Sequence, residues 1–231
     1  MANSLYVTTI VFSRHDLLRR LFESCAASTR RPDAVYVIDH GGDEEKVKAL
    51  EPALDGIQLG VVTLEDYGCA AAANWFLKTL PDDRVGVGDD ITFAPDCLEI
   101  MANTPGDFVI PERKSFVVDG VECGIINPAA CCLIRKSLTD KIGFFDEKIS
   151  PNYLYFEDTD FIRRMELAGI PQTQAVGAQA YHCHGGSQTL KQYTPAQLDE
   201  HHRRFRIARA NYNKKWGGDP FSETLTVPVG L

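Results

Sequence analysis

The chain has 231 residues, 44% hydrophobic and 24% charged, a balance that supports one sizeable core in one domain. Its formal charge of −8 argues against a protein that binds polyanions over its whole surface, and no apolar run approaches the roughly 20 residues of a membrane helix. The first residues have neither the basic start nor the apolar stretch of a signal peptide. The seven cysteines include no C-x-x-C pair, which suits a reduced compartment, so a cytoplasmic protein is expected.

Strand-like and helical patterns alternate through the first half. Residues 5–12 (LYVTTIVF) are apolar and β-branched, a buried strand. Ser13 to Asp16 supply capping residues, and Leu17, Leu18, Leu21 and Phe22 follow at helical spacing. Residues 34–38 read as a second strand ending at Asp39, and residues 44–54 as a helix. Residues 60–64 form a third strand, residues 70–80 another helix, and residues 85–87 a short strand running into Gly88-Asp89-Asp90. This order implies βαβ units and a mostly parallel sheet. Such sheets bind ligands beyond the carboxyl ends of their strands. Those ends carry Ser13 and Arg14, Asp39, Glu65 and Asp66, and Asp89 and Asp90. There is neither GxGxxG nor a P-loop, so a dinucleotide or Walker-type site has no support. In the second half, residues 108–134 mix short strands and turns, 158–168 are helical, 175–181 strand-like, and 195–215 a long basic helix.

Three constellations could carry chemistry. Asp89-Asp90 at a strand end can hold Mg²⁺ or Mn²⁺ through oxygen ligands, whereas Asp82-Asp83, ahead of the strand, reads as an ordinary turn. Glu157-Asp158-x-Asp160 can be a helix start favoured by the dipole, with Asp160 paired to Arg163 or Arg164, or a carboxylate source for a general base. In His182-Cys183-His184 the two imidazoles share one face of an extended segment, and either could add a ligand to a metal at Asp90. On the C-terminal helix, His201 to Arg209 read as a solvated basic face balancing the acidic body, or as a contact for phosphate, lipid headgroup or nucleic acid. Leu198, Phe205 and Ile207 suggest that it packs in part on the body.

Several segments resemble the family 2 glycosyltransferases, particularly their short rhamnosyltransferase-like members, over nearly the whole chain. VTTIVFSRHDLLRRLFESCAAST is similar to the family's first strand and helix, VYVIDHGGD to its second strand, DYGCAAAANWF to its glycine-then-asparagine segment, and VGVGDDITFAPDCLEIM to its DXD-type metal element. GFFDEKISPNYLYFEDTDFIRRMELAGI resembles the GxFDE and ED-x-D-xxx-R stretch, HCHGGS the His-x-x-Gly-Gly-Ser element, and NYNKKWGGDP the common ending. The resemblance implies a single-domain GT-A fold, with nucleotide-sugar binding in residues 1–100 and acceptor binding in residues 101–231. It implies Asp158 as catalytic base with Glu157 as the alternative. Ser13, Arg14, Asp39, Gly68, Asn74 and Asp89 would bind the donor, and Asp90 with His182 or His184 the Mn²⁺ or Mg²⁺. Gly88 stands where the family often has Asp or Asn, which favours Asp90 over Asp89 for the metal. The implied reaction is inverting transfer from a UDP- or dTDP-sugar to a glycan or lipid-linked glycan hydroxyl. Three alternatives stand beside it: an enzyme that glycosylates nucleic acid bases, a non-catalytic sugar-nucleotide or glycan binder of the same fold, and a nucleotidyltransferase, whose usual glycine-rich phosphate loop is replaced here by Ser13-Arg14-His15.

Overall fold

A computed structural model describes residues 4–64, 68–118, 120–182 and 193–230. Eleven strands and seven α-helices are named here in chain order. A seven-stranded sheet has the order β10-β6-β9-β4-β1-β2-β3, built from β1 (Leu5–Val11), β2 (Ala34–Asp39), β3 (Gln58–Thr63), β4 (Asp83–Val87), β6 (Phe108–Pro111), β9 (Cys131–Ile134) and β10 (Gln172–Ala175). Every neighbouring pair is parallel except those made by β9, which runs antiparallel to β4 and β6. The mostly parallel sheet therefore stands as expected.

The helices divide between the two faces. On one face α1 (His15–Ala26) and α4 (Cys97–Asn103) bring Leu18, Leu21, Phe22, Leu98 and Met101 onto Val7, Val35, Val85 and Leu133. On the other, α3 (Cys69–Thr79) covers one half of the sheet and α6 (Glu157–Leu167) the other. Ala72 and Phe76 pack with Ile38 and Ile10, while Phe161 and Met165 pack with Phe108, Cys132 and Ile134. Between these two patches β4 presents Arg84 and Gly86, because Tyr6 and Thr8 of β1 and Ile134 and Cys132 of β9 are their register partners. Two small antiparallel pairs complete the strands: β5 (Thr92–Phe93) with β11 (Ala180–Tyr181), and β7 (Phe116–Val118) with β8 (Val121–Cys123). The remaining helices are α2 (Glu44–Lys48), α5 (Lys136–Ile142) and α7 (Pro195–Trp216).

Four expectations need correction. The helix read over residues 44–54 ends at Lys48 and resumes as a 3₁₀ turn over Glu51–Leu54, because Pro52 has no N–H to continue an α-helix. The strand read over residues 175–181 is two strands, β10 and β11, with Gly177 turning the backbone between them at φ +90. Asp83 is no ordinary turn residue: it opens β4, is buried, and forms an ion pair with Arg135. Finally, Cys123 is disulfide-bonded, with its partner outside the described residues, so the thiols are not all free. Cys131 and Cys132, adjacent on β9, are both buried and free.

The C-terminal ending has a packing role. Trp216 and Tyr212 of α7 are fully buried. The Trp216 Nε1–H donates to Asp160 Oδ1 at 2.9 Å, and Lys215 Nζ lies 2.6 Å from the same oxygen. Arg164 holds the other oxygen at 3.0 Å, the i,i+4 pairing expected from the sequence. Asp160 is thus the buried pin between α6 and α7. Phe205 packs on Tyr155 and Phe156 with centroids at 5.1 and 5.3 Å. Arg203 and Arg204 pair with Glu200, and Arg209 with Asp219, so much of the basic face is neutralised within the chain. No helix among the described residues is long and apolar enough to cross a membrane.

Candidate active site at the carboxyl end of the sheet

The strand ends converge on one acidic centre. After β4 the chain turns through Gly88, whose N–H donates to the Ala130 carbonyl at 3.0 Å. Asp89 and Asp90 follow and are largely buried, at 4% and 9% exposure. A Cβ at residue 88 would meet Asp90 Oδ1 at 3.0 Å, so a glycine there leaves the carboxylate room to fold back.

Arg14, between β1 and α1, lays its guanidinium across both acids. Nη1 reaches Asp90 Oδ2 at 2.9 Å and Nη2 forms a short ion pair with Asp89. His182 Nε2 lies 3.1 Å from the same Asp90 oxygen. The pairing of β11 with β5 explains this meeting across ninety residues of sequence: Tyr181 registers with Thr92, so His182 falls beside the residues preceding β5. A further bridge joins His182 to Gly124.

The two acids differ electrostatically. Burial pushes Asp89 up to about 6, opposed by Arg14 and reinforced by Asp90. Burial also acts on Asp90, but hydrogen bonding and charge from His182 and Arg14 outweigh it and hold that carboxyl below its usual value.

Across the cleft stand Glu157 and Asp158, the first residues of α6. Tyr155 and Phe156 immediately before them both have positive φ, 92 and 67, a conformation costly for non-glycine residues and typical of functional sites, at about 1–3 kcal/mol each. Glu157 is buried, and one of its oxygens has no hydrogen-bond partner among the described residues. Burial, reinforced by Asp158, raises its carboxyl to about 8. Asp158 accepts from the Thr159 N–H at 2.7 Å and the Thr159 hydroxyl at 3.2 Å through Oδ1 alone. Arg14, Asp89, Glu157 and Asp158 all line one cavity of about 480 Å³.

Other residues expected to bind a donor have different surroundings. Asp39 is fully buried, and its two oxygens accept from the backbone N–H groups of Gly41 and Asp43. It shapes the turn after β2. Gly68 packs against the loop that leads to α6: a Cβ there would lie 2.5 Å from the Tyr153 nitrogen, and the adjacent Cys69 N–H donates to the Tyr153 carbonyl at 2.8 Å. Asn74 is buried and clamps the same loop. Its Nδ2 donates to the Phe145 carbonyl at 3.0 Å and to Glu147 Oε1 at 2.7 Å, and its Oδ1 accepts from the Phe145 N–H at 2.9 Å. Ser13 is exposed beside Arg14. His184, like Glu65 and Asp66, lies outside the described residues.

The sequence did not single out Phe12 and His40. Their rings stack with centroids 5.0 Å apart and planes 19° apart, and Phe12 is 52% exposed. The signal available was an aromatic residue at the very end of the first strand, followed by the turn after Asp39.

No family profile matches this chain, and no curated protein matches it by sequence. Solved structures do match. TarS residues 1–349 of S. aureus in complex with UDP-GlcNAc aligns with a TM-score of 0.61 at 17% identity, covering 90% of this chain and 67% of that one. A second structure of TarS residues 1–349 gives 0.60 at 15% identity, covering 91% and 71%. The mannosyltransferase PcManGT of Pyrobaculum calidifontis, in complex with GDP-Man and Mn²⁺, gives 0.62 at 12% identity, covering 91% and 74%. At these identities the likeness shows the fold, which is the GT-A glycosyltransferase fold.

Proposed function

We propose that this protein is an inverting glycosyltransferase of the family 2 kind, moving a hexose-type sugar from a nucleoside diphosphate to an acceptor hydroxyl. The observation that carries this reading is the meeting of two acidic groups in one cavity. Asp89, ion-paired with Arg14 beside Asp90 and His182, lines the same cavity as Glu157 and Asp158. The fold shared with proteins solved with UDP-GlcNAc and with GDP-Man and Mn²⁺ supports a nucleotide-sugar donor. UDP or dTDP is the favoured carrier, and a glycan or lipid-linked glycan the favoured acceptor class.

The residues present suit a divalent cation. Asp90 and His182 bring an oxygen and a nitrogen to one point. Mn²⁺ or Mg²⁺ takes one or two protein ligands and completes its shell with phosphate oxygens and waters. Among the described residues no group of three or more acidic, His or Cys side chains is arranged for a metal, which fits a cation shared with the donor. When bound, it would supply Lewis-acid neutralisation of the departing diphosphate. Arg14 pairs with both acids, and on donor binding its guanidinium would turn to the diphosphate oxygens.

In the transfer, the acceptor oxygen attacks the anomeric carbon while the bond to the diphosphate oxygen breaks. Asp158, with Oδ2 free of partners among the described residues, takes the hydroxyl proton. Glu157 is poorly suited to that task at neutral pH, because burial raises its carboxyl to about 8. The Phe12–His40 stack offers an aromatic surface for the nucleobase.

A thermal-shift panel of UDP, dTDP, GDP and CDP with and without Mn²⁺ tests the reading. One nucleotide should stabilise the protein with metal, by about 2.7 kcal/mol at a hundredfold excess over Kd, and Asp90→Ala should erase the shift. No shift from any nucleotide under any metal condition would refute a donor site here.

A further inference from the structure

The cavity lined by Arg14, Asp89, Glu157 and Asp158 extends to residues that the transfer itself does not use. Its inner part lies between the sheet and helices α3 and α6, over the bare strip of β4. A Cβ at Gly86 would find nothing nearer than Thr8 Oγ1 at 3.9 Å and the Cys132 carbonyl at 4.0 Å, so the glycine leaves open space. Leu77, Phe108, Ile134, Phe145 and Phe161 form apolar walls. Arg84 lies at the inner end, 2% exposed.

Arg84 is out of place as a structural residue. Its Nη1 donates to the Phe76 carbonyl at 2.9 Å, but Nε and Nη2 are buried with no partner among the described residues. Asp83, the adjacent acid, is committed to Arg135. Burial, opposed by Asp83, pulls the guanidinium down to about 10, so it remains charged at neutral pH. A buried, uncompensated charge is a folding cost that a methionine of similar length would avoid. The unpaired atoms are themselves informative. Nε–H and Nη2–H form one edge of the guanidinium, the edge that receives a carboxylate through two parallel hydrogen bonds.

We propose that this inner chamber holds the apolar body of a carboxylate-bearing acceptor, with the acid on the Nε–Nη2 edge of Arg84 and a hydroxyl presented at Glu157 and Asp158. The inference rests on the transferase reading for the role of the hydroxyl, and on Arg84, Gly86 and the apolar walls for the ligand's class. The lining sets its class: a hydroxy acid whose two polar ends are separated by an apolar spacer. A short polar sugar acid would leave the walls unfilled, and a neutral lipid would leave Arg84 unpaired.

The test uses 10-hydroxydecanoate and the neutral 1,10-decanediol as probes, titrated calorimetrically into the nucleotide-free protein. The acid should bind at least about 10-fold tighter than the diol, the scale of one charge-assisted hydrogen bond. Arg84→Met should abolish that preference, keep diol binding, and melt no lower than wild type. Gly86→Leu, which fills the chamber and leaves Arg84 in place, should weaken both probes. The proposal is overturned if neither probe binds, if acid and diol bind equally, or if the acid preference survives Arg84→Met. A second arm adds Mn²⁺ with UDP-GlcNAc, UDP-glucose or GDP-mannose and follows the mass of the glycosylated acid. Acid preference with no donor binding would overturn the transferase reading and leave the chamber standing. Donor turnover with no acid preference would overturn the chamber and leave the transferase standing.

Discussion

Replacing Glu157 by Gln isolates one buried proton. In the folded protein the Glu157 carboxyl is raised to about 8 from an ordinary value of 4.5, first by burial and then by Asp158. Between those two values the folded chain holds a proton that the unfolded chain has released. Stability therefore falls as pH rises, by about 1.4 kcal/mol per unit, and levels off above pH 8. From pH 6 to pH 8 this one group should cost the wild type about 2 kcal/mol, allowing for half-ionisation at the upper end. Glu157→Gln keeps the shape and has no proton to lose. Urea unfolding of both proteins at pH 6 and pH 8, followed by circular dichroism, reads the difference directly. The gap between variant and wild type should move by about 2 kcal/mol in favour of the variant at pH 8. Titrating groups that do not interact with Glu157 are common to both proteins and cancel. Parallel pH dependences would refute the claim that Glu157 is held neutral, and with it the argument that Asp158 alone serves as base. The same ionisation should give wild-type kcat/KM a falling limb near pH 8 that the variant lacks.

Asp158→Asn should lower turnover by at least about 10²-fold with little change in nucleotide affinity; retained turnover, measured by release of nucleoside diphosphate, would remove Asp158 from the mechanism. Asp160→Ala should act on folding, because it leaves Lys215 and Arg164 without their shared buried acid, at about 3–5 kcal/mol by chemical denaturation. Arg14→Ala frees both acids of their guanidinium, so Mn²⁺ alone should bind more tightly and the nucleoside diphosphate more weakly by calorimetry. A fall in both affinities would contradict the role given to Arg14. Gly68→Ala should lower the melting temperature, since a methyl would press on the Tyr153 backbone at 2.5 Å and overpacking of this kind costs about 1–3 kcal/mol.

The sheet was legible because its information is local. β1 and β2 are short runs of apolar and β-branched residues bounded by polar turns, and α1 repeats Leu18, Leu21, Phe22 and Cys25 at helical spacing. Strand alternating with helix then leaves little freedom in topology. The polar strand ends, Arg14 and Asp89-Asp90 among them, could be placed at one edge of the sheet for the same reason, and Glu157-Asp158 could be read as acids at a helix start.

Other features depended on partners distant in the sequence. That His182 lies beside Asp90 is expected from the resemblance, but it is the β5–β11 register that brings them together, and no local pattern encodes that register. The resemblance points to Asp39 and Asn74 as donor ligands; in the fold Asp39 accepts from the backbone N–H groups of Gly41 and Asp43, and Asn74 bonds to the Phe145 backbone and to Glu147, contacts that the sequence does not announce. Whether a polar side chain serves a turn or a substrate depends on which donors the fold brings within 3 Å. Arg84 is the sharpest case. In sequence it is one basic residue entering a strand, and only the packing of α3 and α6 on either side of Gly86 leaves its charge buried beside a cavity, with two of its nitrogens unpaired among the described residues. Periodicity along the chain determined the layers, whereas desolvation, a property of the assembled tertiary structure, decided which charges were left over for chemistry.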